Sequence, residues 1–132
     1  MGITKILVGT PSGPVPGRAI RAAAELATSH RAELVVLHLE PAVDPRQVFD
    51  PDGVPAPTPP ALPLADDFPG LRVRARHARG GTVQALCQAA AEERPDLVVV
   101  PHARRRPAEG LSARASRSVA GRVDCPVVLV AS

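Results

Sequence analysis

Asp96-Leu-Val-Val-Val-Pro-His-Ala-Arg-Arg-Arg106 reads as a short, fully buried strand over Leu97 to Val100, ended by Pro101 and then three consecutive arginines. A continuous apolar run of this kind, bounded by turn residues, belongs in a parallel sheet covered on both faces. In an open parallel α/β sheet, ligands sit outside the carboxyl ends of the central strands. A site is therefore sought where the valines give way to loop. That loop is rich in Pro and Arg, where a phosphate-cradling loop is rich in Gly.

Upstream of this stretch, Ile3 to Val8 reads as a strand ended by the turn-dense Gly9-Thr-Pro-Ser-Gly-Pro14. A helix follows from about Pro16 to Ser29. Proline suits its first turn, and Ile20, Ala23, Ala24 and Ala27 recur at helical spacing. Leu34 to Leu39 is a second apolar strand, so the three elements form a right-handed βαβ unit with parallel strands. Gly80-Gly-Thr82 opens another helix, with Thr82 as N-cap and a Val83, Leu86, Cys87, Ala90 stripe. Beyond the arginines, Ser112 caps a last helix to about Ala120, stopped near Gly121, and Val127 to Val130 is the fifth strand.

Two segments depart from this rhythm. Nine of the 29 residues from 41 to 69 are proline, which excludes a regular helix. The segment reads as an irregular Pro-rich insertion within a single domain spanning 1–132. The alternative makes it an arm for an unknown protein partner. Leu71 to Ala78 then alternates strictly, with Leu71, Val73, Ala75 and His77 on one face and Arg72, Arg74 and Arg76 on the other. This period of two marks a strand with one solvated face. The arginines are expected to point where the Pro-rich crossover leaves the sheet uncovered.

Composition narrows the class. With two Phe and neither Trp nor Tyr, the core comes from Val, Leu, Ile and Ala, and base-stacking folds are disfavoured. Nucleic acid is thus not an expected partner. The net charge of +3 is unevenly spread. Residues 41–70 hold five Asp against one Arg, while residues 71–132 hold eleven Arg against five acids. A basic half can attract anions, although scattered solvated arginines are the plainer reading. Cys87 and Cys125 form no CxxC and have no clustered His. Neither a metal site nor a disulfide framework is expected, and two buried free thiols fit a reducing compartment. Met1-Gly-Ile-Thr-Lys5 runs straight into a strand pattern, and no apolar run is long enough to span a bilayer. A cytoplasmic location away from the membrane is expected.

The ordered set of these segments resembles the universal stress protein family. The likeness is carried by Lys5-Ile-Leu-Val-Gly9, Glu33-Leu-Val-Val-Leu-His38, Gly80, Pro95-Asp-Leu-Val-Val-Val100, Ser116-Arg-Ser-Val-Ala120 and Asp124-Cys-Pro-Val-Val128. It implies a doubly wound, Rossmann-like, five-stranded parallel sheet in the order 3-2-1-4-5, with the Arg-alternating strand at one edge. Nucleotide-binding members are known for an Asp after the first strand and Gly-x2-Gly-x9-Gly-(Ser/Thr) after the fourth. Here those positions fall on Pro11, Pro101, Arg104 and, with one residue of slack, Ala113-Arg114. Proline has no N–H and a fixed φ, and arginine adds bulk where glycine lets backbone approach phosphate.

The expected rim of a ligand site therefore comprises Thr10, Pro11, Pro101, Arg104, Arg105, Arg106 and Ser112. The three arginines either grip an anion with bidentate side chains, aided by the helix starting at Ser112, or simply close the cleft. Closure is the reading preferred here. It implies a stress-response binding or regulatory module without a cofactor and without chemistry of its own. The alternative is a protein that binds a nucleotide (ATP or another adenine nucleotide) or another phosphate through the Arg104–Arg106 loop, with weak hydrolysis. His38 and His102 end near the carboxyl edge, but neither forms an assignable triad with Ser12. Finally, the 3-2-1-4-5 order makes the apolar last strand, Val127, Val128, Leu129 and Val130, an edge. Such an edge invites pairing with a second copy, as the family's dimers do, unless local loops cover it.

Overall fold

The computed structural model describes residues 2–11, 17–40, 67–79, 81–102 and 111–131, with backbone alone at 10, 11, 39, 40, 79 and 131. Five strands form a wholly parallel sheet. They are β1 (Lys5–Pro11), β2 (Glu33–Glu40), β3 (Arg72–Arg79), β4 (Leu97–His102) and β5 (Val127–Ala131). Their order is β3-β2-β1-β4-β5. Among the described residues three helices join them: α1 (Arg18–His30), α2 (Thr82–Glu93) and α3 (Ala113–Arg122).

Alternation along the strands divides the core into two layers. Ile6, Val8, Leu34, Val36 and Val99 pack with the alanines and Ile20 of α1 on one face. Leu7, Val35, Leu37, Val98 and Val100 pack with Leu86 and Ala89 of α2 and Val119 of α3 on the other. Alanine at 19, 23, 24 and 27, all buried, lets α1 approach the sheet closely while favouring the helix itself. Both α1 and α2 end on an arginine in the left-handed region, Arg31 and Arg94, whose N–H groups return to carbonyls of the last turn.

Several expected boundaries move. Strand β4 runs through Pro101 to His102 and does not stop at Val100. The second helix is capped by Gly81 in extended conformation, without a side-chain bond, and Thr82 is already helical. The last helix passes Gly121 and ends at Val123, which returns to extended backbone. Cys87 and Cys125 are half-buried free thiols, not buried ones, and Ala89 takes the inner place expected for Cys87.

The arginine row does not face an uncovered side of the sheet. Arg74 and Arg76 face α2, where Glu92 and Glu93 receive them, while Val73 packs into the layer of α1. The row is stabilised by acids at the end of a neighbouring helix. It is not a consequence of an uncovered face. The Pro-rich stretch lies outside the described residues, apart from Asp67, Phe68 and Pro69. Asp67 forms an exposed ion pair with Arg21 of α1, and Phe68 packs against the α1 layer.

Candidate functional site at the parting of β1 and β4

The strand order reverses between β1 and β4, which is where doubly wound sheets open a crevice. The register shows it directly. β1 stays paired with β2 from Lys5↔Glu33 to Pro11↔Leu39, but its pairing with β4 ends at Val8↔Val99. Beyond that point the two strands part. Thr10 and Pro11 are the last residues of β1, paired with His38 and Leu39. Gly9, just below them, lies close against α2. A Cβ there would lie 2.7 Å from Cδ2 of the fully buried Leu86.

On the other side of the crevice Pro101 is buried inside β4 and pairs with Val130 of β5. The N–H of Val98 goes to the carbonyl of Pro126, toward β5. Alternation then turns position 101 toward β1, beyond the end of the β1–β4 ladder, so the missing proline N–H breaks no ladder bond. The Pro101 carbonyl accepts the N–H of Leu111 at 2.7 Å. His102 is paired with Ala131 on one side and bridged to Leu111 on the other. Leu111 therefore extends the ladder on the β1 side, where β1 itself has departed. Its side chain is buried in the layer beneath α2 and α3.

Ser112 follows at once and caps α3 through its hydroxyl, which accepts the N–H of Ala115 at 3.1 Å. The structure thus brings the backbone of Thr10 and Pro11, Pro101 and Ser112 to one end of the sheet. Arg104, Arg105 and Arg106 lie outside the described residues, as does Ser12. His38 is 2 % exposed and lies in the α1-side row with Leu34 and Val36. Its ring stacks on that of His77, with centroids 5.1 Å apart. His102 is half-buried.

Residues that carry no expectation in the sequence dominate the opposite end of the sheet. One Asp96 carboxylate oxygen accepts from the Thr4 N–H at 2.8 Å, the Thr4 hydroxyl at 2.9 Å and the Lys5 N–H at 3.1 Å. These bonds, the Thr4 N–H foremost, hold its carboxyl below the usual aspartate range. Lys5 Nζ in turn donates to the Glu93 carbonyl at 3.2 Å. The position of an acid just before β4 was visible in the chain, but its partner 92 residues away was not. Among the described residues no group of three or more His, Cys, Asp and Glu could hold a metal. Among them, too, no helix is long and apolar enough to cross a membrane.

A wholly parallel 3-2-1-4-5 sheet whose order reverses where β1 and β4 part defines a Rossmann-like α/β domain. A sequence profile of the Universal stress protein family matches residues 2–131. The chain belongs to that family. Among solved structures it is similar to a universal stress protein in complex with cAMP, at 21% identity and a TM-score of 0.70 over 99% of this chain and 98% of the other. It is also similar to the universal stress protein UspA from Lactobacillus plantarum (18% identity, TM-score 0.67, 98% and 99% covered). A third is the universal stress protein from Archaeoglobus fulgidus in complex with dAMP (16% identity, TM-score 0.63, 98% of each chain). At these identities the likeness is one of fold. No curated protein matches the chain.

Proposed function

We propose that this universal stress protein is a binding or regulatory module of the stress response that does not cradle ATP through backbone amides after β4. It acts in the cytoplasm and has no catalytic step of its own. Pro101 carries this reading. The position offers no N–H, and its carbonyl is engaged by Leu111, so position 101 gives a phosphate no backbone donor. Leu111 also occupies ladder space between the parting strands.

A second reading is supported by the relatives in complex with cAMP and dAMP. In it a mononucleotide enters the same crevice and its single phosphate is held by Arg104, Arg105 and Arg106 in place of glycines. A thermal-shift titration of the full chain with ATP, AMP and cAMP separates the two. A ligand that binds only the folded state at about 100 times its Kd adds roughly 2.7 kcal/mol of apparent stability. No rise with any of the three is expected. A saturable rise with ATP overturns the proposal, and a rise with AMP or cAMP alone, abolished by Arg104→Ala, establishes the second reading.

A further inference from the structure

Two free thiols, Cys87 of α2 and Cys125 just before β5, line one cavity of about 510 Å³ at the amino end of the sheet, away from the crevice. Both are half-buried, so a reagent in solvent can reach them. Cys87, Ala90, Ala91 and Arg94 recur at helical spacing and form the α2 wall. The two alanines put no bulky side chain between the sulfur and the cation. Arg122, at the end of α3, lines the same cavity beside Asp124. Arg94 and Arg122 are exposed, and neither takes part in an ion pair among the described residues.

The two thiols are not equivalent. Burial, aided by Asp96 and Asp124, pushes the Cys125 thiol up, which keeps it protonated and slow to react near neutral pH. Cys125 also packs against the apolar layer beneath α2 and α3. Cys87 stands off the inner side of α2, where Leu86 and Ala89 are buried. Reactive cysteines are those in partly exposed, electropositive surroundings. Cys87, sharing its cavity with two uncommitted guanidinium groups, is in such a place. Arg94 follows it two turns later, about 10 Å along the helix axis. A carboxylate that meets this guanidinium must therefore be several bonds away from the sulfur joined to Cys87.

We propose that Cys87 is a site of reversible S-thiolation by an acidic disulfide of small-peptide size, whose carboxylates are held by Arg94 and Arg122. The Cys87 thiol gives its proton to solvent, and the thiolate attacks one sulfur of the disulfide. The disulfide's S–S bond breaks as the bond from Cys87 forms, and the other half leaves as a thiolate that takes up a proton. Cys87 is oxidised and the departing half is reduced, so no further oxidant is required. The cavity receives the added group.

The test starts from the reduced full chain at neutral pH and low salt. Glutathione disulfide is compared with cystamine, whose halves are cationic, and each rate is divided by that of the same reagent with N-acetylcysteine. Intact-mass and peptide mapping should find one adduct per chain on Cys87, absent in Cys87→Ser, retained in Cys125→Ser and removed by dithiothreitol. The normalised rate should favour glutathione disulfide by about tenfold, and added salt should erase the preference. The double variant Arg94→Glu/Arg122→Glu, altered only at exposed positions, should reverse it. An adduct on Cys125, a normalised preference near one, or a preference that survives the double variant overturns the proposal. So does the absence of any adduct where N-acetylcysteine reacts.

Discussion

Arg74 of β3 donates from one guanidinium nitrogen to both carboxylate oxygens of Glu93, at 2.6 Å each, while its Nε reaches Glu33 at 2.9 Å. Glu93 lies at the end of α2, and its side chain is only 8 % exposed. The guanidinium therefore joins the edge strand, the start of β2 and the end of a helix. Its hydrogen bond holds the Glu93 carboxyl below the usual glutamate range, against the opposing effect of burial. Arg76 does the same for Glu92.

This network predicts a pH-dependent contribution to stability. A carboxyl whose pKa is depressed in the folded state contributes fully above its unfolded value of about 4.3, and the contribution is lost as pH falls through the folded value. Arg74→Ala should lower stability at neutral pH by about 1 kcal/mol, discounted for the solvent around the half-exposed arginine. The difference from wild type should shrink between about pH 5 and pH 2. Urea denaturation midpoints across that range check it. A constant difference down to the acid limit would show that Arg74 acts by packing alone.

Gly9 is required by the approach of β1 to α2. Gly9→Ala places a methyl group 2.7 Å from Cδ2 of Leu86, a fully buried side chain that must shift to receive it. Overpacking of this kind destabilises by roughly 1–3 kcal/mol. Leu86→Val in the same chain should recover part of the loss, which a double-mutant cycle on thermal or urea unfolding measures.

Ser112 supplies the side-chain cap of α3, accepting the Ala115 N–H. Ser112→Ala should lose about 1 kcal/mol, and Ser112→Asp should keep the cap and add a favourable charge at the helix start. Equal stability of all three proteins would remove the cap from the account. Circular-dichroism melts suffice.

The exposed edge gives a prediction about assembly. Val128 and Leu129 of β5 are 36 % and 49 % exposed, the large hydrophobic residues left uncovered among those described. With Val127 and Val130 they form a strand edge that no other described strand pairs, suited to a two-fold dimer. Leu129→Glu should convert a dimer to a folded monomer in light scattering with little change in secondary structure. A wild type that is monomeric at high concentration refutes the dimer.

Much of the architecture was legible because the physics that shapes each element is local. The valine runs of β1, β2 and β4 declare strands buried on both faces, and the alanine stripe of α1 declares its inner side. The strict alternation of β3 marks a strand with one solvated face, and its place at an edge is what the family resemblance implies. Its arginines were misplaced because period two tells which residues share a face, but not which face. Thr82 has a residue type suited to a cap. The backbone of Gly81 adopts the extended geometry instead and starts the helix one residue earlier.

The site at the end of β4 divides in the same manner. That Pro101 cannot donate follows from its covalent structure, so the sequence alone excludes an N–H at that point. That its carbonyl is taken by Leu111, and that Leu111 enters the gap left by β1, depends on two strands parting after Val8 and Val99. That parting is a relationship between segments about ninety residues apart. Likewise Asp96 and Glu93 are ordinary acids in the chain. They become structural through Thr4, Lys5 and Arg74, brought to them by the crossing of the sheet. Covalent chemistry and periodicity are properties of neighbours along the chain. Partnership across the fold exists only once the strands have been ordered, and that ordering decided which polar groups meet.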